Sequence, residues 1–148
     1  MTLLETALHE FGVTEIKGRK DNLRIVQYFT ECGWDGSRLK DETAWCSVAL
    51  NWCAMRAGLI RSESLTARSW LKVGISVKYP LIGDVVVFWR MSKADWRGHV
   101  GIYICETANH IYCLGANQGI PGQWNIKAYP RDSVFFGLLG YRMLYRVP

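Results

Sequence analysis

"HVGIYICETANHIYCLGANQ", residues 99–118, holds two segments, 99–105 and 110–118, in which apolar residues recur at every second position. That alternation is the period of a half-buried strand, and so short a gap joins the two as an antiparallel hairpin. With Val100, Ile102 and Ile104 facing the core, the best apolar face on the return strand is Tyr112, Leu114 and Ala116. Pairing 104 with 112, 102 with 114 and 100 with 116 sets Asn117 opposite His99, and cross-strand partners share a face. A slip of one residue would set Ala116 there and leave no polar partner, with Gln118 as the fallback.

Working outward, "VVVFW" (85–89) reads as a buried strand after the turn "KYPLIGD" (78–84). The segments "WNIKAYP" (124–130) and "LGYRMLYRV" (139–147) read as further strands, and "MSKADWRG" (91–98) as a loop. Towards the N-terminus the period changes to that of helices. Residues 2–11 place Leu3, Leu4, Ala7, Leu8 and Phe11 on one side. Residues 21–31 form a second helix with Asp21 or Asn22 as N-cap and Leu23, Ile25, Val26, Tyr28 and Phe29 as apolar surface. The third, 43–57, begins after Asp41 and Glu42 with Thr43 and is closed by Gly58. Helices followed by a run of antiparallel strands give an α+β organisation, with N-terminal helices packed on an antiparallel β-sheet.

The 148 residues suit one catalytic domain, 1–148, and no linker or repeat divides them. No apolar run is long enough to span a membrane. The start, "MTLLETALHEFG", lacks the charge and cleavage pattern of a secretory signal, so delivery outside the cytoplasm would need another route. A net charge of +5 favours a polyanionic partner, but the basic residues are scattered, which argues against nucleic acid. Five cysteines, an odd number with no C-x-x-C pair, argue against a disulfide framework or a zinc knuckle, and most should be reduced, buried and inert.

Cys46 is the exception. It lies in the first turn of the third helix, among unpaired N–H groups at the positive end of the helix dipole. That setting can lower a thiol below its usual value of about 8.5 and can also hold an oxyanion. Cys53, two turns on, reads as core. A thiolate needs a base. Of the three histidines, His9 sits on a solvent-facing helix and His110 at the far end of the hairpin. His99 opens a strand beside a loop and is the best base, with Asn117 as the group that orients it. Each residue alone also has a plain structural reading, as core filler, strand end or turn former. Their combination in this chain order is what points to chemistry.

The wording "DETAWCSVALNWC", "ARSWLKVG", "PLIGDVVVFWR", "WRGHVGIYI", "LGANQG" and "GYRML" resembles the CHAP and NlpC/P60 cysteine peptidase superfamily, closest to its small single-domain phage-lysin-like branch. The similarity runs from about residue 21 to residue 146. It implies a papain-like fold and hydrolysis of an amide bond in peptidoglycan, by an N-acetylmuramoyl-L-alanine amidase or an endopeptidase. It maps nucleophile, base and orienting residue onto Cys46, His99 and Asn117, with no metal or cofactor. Two positions depart from the branch: Ala44 stands where Pro is commoner before "WC", and Ala116 where "LGGNQ" has its second Gly. The segment "GIPGQW" (119–124) would reshape one cleft wall. Related folds set a tyrosine near the nucleophile, which makes Tyr28 an oxyanion candidate. Glu42 and Trp45 are candidates for the entrance, and Trp96 for stacking on substrate. The expected partners are peptidoglycan and an immunity or inhibitor protein, and the expected state is a monomer. Holin- or secretion-system-dependent delivery fits the absence of a signal. The competing expectations are a catalytically silent wall-binding module and an acyltransferase or transglutaminase-like enzyme on the same fold.

Overall fold

The computed structural model of the protein describes residues 1–17, 22–35 and 44–148. Its elements in chain order are α1 (Leu3–Leu8), α2 (Leu23–Glu31), α3 (Cys46–Arg56), a 3-10 helix (Ala67–Lys72), and strands β1 (Ile75–Val77), β2 (Val85–Arg90), β3 (Gly98–Glu106), β4 (His110–Gln118), β5 (Gln123–Pro130) and β6 (Phe136–Met143). All six strands join one antiparallel sheet in the order β1-β6-β2-β3-β4-β5. Helices come first and an antiparallel sheet follows, so the chain is α+β. No helix among the described residues is long and apolar enough to cross a membrane.

Cys46 to Ala54 are all buried, so α3 is enclosed on every side. Such a helix must satisfy its polar residues internally. Ser47 Oγ donates to the Ser64 carbonyl at 2.7 Å and accepts from Trp70 Nε1 at 3.0 Å. The Asn51 amide donates to the carbonyls of Ser47 and Ser64, and its Oδ1 accepts from the Glu63 N–H. The C-terminus closes as the sequence indicates. Gly58 takes φ +71°, the Leu59 N–H reaches the Ala54 carbonyl and the Gly58 N–H reaches Met55, the paired bonds of a Schellman stop.

The helices differ from expectation at their edges. α1 ends at Leu8, held at its start by a capping box between Thr2 and Glu5. Leu8 and Phe11 therefore leave the apolar face and are exposed. In α2 the cap is Asn22, whose side chain accepts the Arg24 N–H, and Leu23 at its first position points to solvent. α3 begins at Cys46, not at Thr43; Asp41, Glu42 and Thr43 lie outside the described residues. The short strand β1 and the 3-10 helix had no clear sequence signal, and β6 stops before Leu144.

Apolar residues cover both faces of the sheet. One face packs under the helices through Val85, Val87, Val100, Ile102, Leu114 and Ala116. The other carries Val86, Phe88, Tyr103, Ile111, Cys113 and Tyr141. Tyr129 on β5 stacks on Phe136 of β6 with ring centroids 4.8 Å apart, although three strands separate them in sheet order. The sheet thus curls on this second face, and the curl forms the wall of the candidate site.

Candidate active site

Cys46 is the first residue of α3, and the N-cap, Trp45, supplies no side-chain cap. The first intrahelical bond runs from the Ala49 N–H to the Trp45 carbonyl, so the N–H groups of Cys46, Ser47 and Val48 precede the ladder. A cavity of about 300 Å³ opens here, lined by Ala44 and Cys46 from the helix start and by His99, Tyr129 and Phe136 from the sheet. A larger depression of about 590 Å³ lies elsewhere, against α1 and Leu144, and has no histidine or cysteine in its lining. Chemistry, not size, therefore selects the smaller one.

His99 is buried in an aromatic wall. Its ring lies 5.1 Å from that of Tyr129 and 6.4 Å from that of Phe88. Its partner is Gln118, whose Oε1 is 2.8 Å from His99 Nε2. The orientation of that amide is fixed by its other end. Gln118 Nε2 donates to the Asn125 carbonyl at 2.8 Å, to Asn125 Oδ1 at 3.0 Å and to the Cys113 carbonyl at 3.2 Å. With the amide nitrogen committed to three acceptors, Oε1 faces the ring and His99 Nε2 must carry the proton. The neutral imidazole then keeps Nδ1 as its basic atom.

The orienting position had been expected for Asn117, and the structure gives it to Gln118. The pairing of Ile102 with Leu114 is as expected. Beyond it, β4 pairs with β5 through Gly115 with Asn125 and Gln118 with Gln123, so two residues, Ala116 and Asn117, oppose Trp124 alone. Asn117 absorbs this bulge at φ +57°, a left-handed conformation that Asn tolerates. One extra residue inverts the strand's alternation, and Gln118 turns to the face that Asn117 would have held. Asn117 still lines the cavity, packed over Gly122, but makes no hydrogen bond to His99. A second bulge between Tyr103 and Cys105 pairs Cys105, not Ile104, with Tyr112.

Two glycines leave room for this arrangement. A Cβ at Gly115 would stand 2.5 Å from Gln118 Oε1 and 3.2 Å from His99 Nε2. A Cβ at Gly98 would stand 2.5 Å from the Phe88 carbonyl oxygen. The "ARSW" segment braces both halves of the site. Arg68 donates to the carbonyls of Ser92, Lys93 and Arg97, which fixes the loop leading into His99, and Trp70 holds Ser47 beside Cys46.

Burial dominates the electrostatics. It pushes the Cys46 thiol up, against the opposing effect of the N–H groups of Val100 and Ser47, the Arg90 charge and the N–H of Cys46 itself. The lowered thiol expected from the helix start is therefore not found. Burial also pulls His99 down to about 4, opposed by the Gln118 bond and reinforced by Arg90 and Lys127. At neutral pH both directions give a neutral thiol and a neutral imidazole lining one cavity.

Other expected site residues lie elsewhere. Tyr28 is fully buried, its hydroxyl donating to Glu10 Oε1 at 2.7 Å, and that carboxylate is also held by Arg24. Tyr28 does not line the cavity, so its expected oxyanion role has no geometric basis. Trp45 is core, stacked on Tyr28, with Nε1 directed at Glu15 Oε2 at 3.4 Å; it does not form the entrance. Trp96 is exposed and lies off the cavity. Glu42 lies outside the described residues. Cys53 is core as expected, and three of the five cysteines, Cys46, Cys53 and Cys113, are buried, whereas Cys105 is exposed. Gly119 lines the cavity, and the segment after it is tied to the N-terminal region by the Gly122 N–H to Glu15 Oε1. Arg90, Lys127, Tyr129 and Phe136 were not foreseen as lining residues; only the folded sheet assembles them. The chain matches no protein-family model and no curated protein.

Proposed function

We propose that this protein is a peptidoglycan hydrolase of the CHAP and NlpC/P60 kind, with a papain-like fold, cutting an amide bond of the cell-wall peptide through a thiol. The observation that carries the reading is the bond from His99 Nε2 to Gln118, in a cavity that Cys46 also lines. It leaves one basic nitrogen, Nδ1, on a ring whose position is fixed from behind. The cell-wall substrate rests on the sequence resemblance and is consistent with a net charge of +5.

In the reaction, His99 Nδ1 takes the Cys46 proton as the sulfur attacks the peptide carbonyl. The carbonyl electron pair moves to oxygen, and the N–H groups at the start of α3 receive the charge. His99 returns the proton to the leaving amine as the C–N bond breaks. Water, deprotonated at the same nitrogen, then releases the acyl group and regenerates the thiol. Starting from a neutral pair means that ion-pair formation belongs to the attack step.

The test is release of soluble fragments from purified sacculi by the intact protein and by Cys46→Ala and His99→Ala. Loss of release in both, with folding preserved by circular dichroism, supports the reading. Undiminished release by either variant rejects it.

A further inference from the structure

The cavity holds more charge than the thiol chemistry uses. Arg90 ends β2 and is paired with Phe136; Lys127 on β5 is paired with Cys113. Strand alternation puts both on the curled face that carries Phe88, His99 and Tyr129. Both line the same cavity as Cys46 and His99. Lys127 Nζ sits 5.3 Å from the Tyr129 ring centroid. Among the described residues, neither cation is in an ion pair, and no acidic side chain lines the cavity. The side chains of Asn117 and Tyr129 line it too, with no hydrogen-bond partner among the described residues.

Two like charges in the cavity of a buried histidine weaken it as a base, since each opposes protonation of the ring. They are useful when an anion arrives. We propose that Arg90 and Lys127 form a carboxylate-binding subsite beside Cys46 and His99, so that the substrate carries a free carboxylate next to the amide that is cut. The guanidinium offers paired donors to the two oxygens and the ammonium offers a point charge. A bound carboxylate also offsets the charges that weaken His99 as a base, which couples recognition to activation of the thiol. This substrate class rests on the hydrolase reading, whereas the subsite itself follows from the geometry.

Two experiments separate the two. The first needs no turnover. Alkylation of Cys46 by iodoacetate and by iodoacetamide is followed by peptide mass spectrometry, with the exposed Cys105 as internal reference. The ratio of the two rates at Cys46, relative to Cys105, should fall roughly tenfold in the R90Q/K127Q double variant, because two charge contacts with the reagent's carboxylate are lost. It should also fall in the intact protein as salt rises. A ratio unchanged by the double substitution overturns the proposal. If Cys46, held as a neutral thiol, reacts with neither reagent, the peptide pair below decides the proposal. The second uses a matched pair of cell-wall peptides differing only in one carboxylate, free or amidated. The intact protein should prefer the acid, and the preference should shrink in R90Q and in K127Q; equal cleavage of the pair overturns the proposal. Cleavage of neither peptide, with the alkylation ratio behaving as expected, rejects the hydrolase reading and leaves the anion site standing.

Discussion

His99 should make the fold acid-sensitive by an amount that its burial sets. The residue is 8% exposed, so the shift to about 4 is little screened by solvent. In the unfolded chain an imidazole titrates near 6.5. As pH falls below 6.5 the unfolded state takes up a proton that the folded state refuses, so stability is present above 6.5 and is lost on the way down to about 4. At 1.36 kcal/mol per pH unit, the loss reaches about 2.5 kcal/mol at pH 4.5. His99→Gln cannot titrate there. Urea unfolding of both proteins at pH 7 and pH 4.5 should show the intact protein losing about 2.5 kcal/mol more than the variant, whatever their stabilities at pH 7. Stopping at pH 4.5 avoids most of the contribution from Glu10, which Arg24 and Tyr28 hold below the usual carboxylate range despite its burial. Parallel pH dependence in the two proteins would refute the reasoning. It would mean that His99 titrates alike in the folded and unfolded chain, so that its burial does not hold the ring neutral.

The choice between two adjacent amides is equally open to test. Gln118→Ala should lower turnover by roughly 10- to 100-fold because the imidazole loses its one side-chain hydrogen bond among the described residues. Asn117→Gly, which suits the left-handed backbone there, should keep most activity; the reverse ranking in kcat would return the orienting role to Asn117. Tyr28→Phe should leave kcat unchanged and cost ~2 kcal/mol in urea unfolding, since it removes a hydrogen bond to the buried Glu10 carboxylate. A large kcat loss with no change in stability would put Tyr28 back at the chemistry.

What the sequence made legible is what period and punctuation encode. Alternation in 99–105 and 110–118 specified the hairpin, and Gly58 marked where α3 stops. Cys46 and His99 could be chosen because a helix start and a strand start are local features. The orienting residue could not be settled in the same way. It depends on a bulge at Ala116 and Asn117 that inverts one strand's alternation, and such a bulge is decided by the pairing of Gly115 with Asn125 and of Gln118 with Gln123. The tertiary environment of the thiol was equally out of reach. A helix N-terminus favours a thiolate, but the burial that outweighs it comes from strands fifty or more residues away in the chain. Tyr28 illustrates the converse, a residue whose buried partner, Glu10, lies in a turn with no motif of its own.

The central claim is that Cys46 cuts an amide in peptidoglycan. The most direct measurement is mass spectrometry of the soluble products from purified sacculi, with the intact protein and Cys46→Ala run side by side. Fragments should appear only with the intact protein, each pair summing to its parent plus one water and carrying a new amine on one member and a new carboxylate on the other. Fragments cut within the glycan strand, identical products from Cys46→Ala, or no release by the intact protein would contradict it.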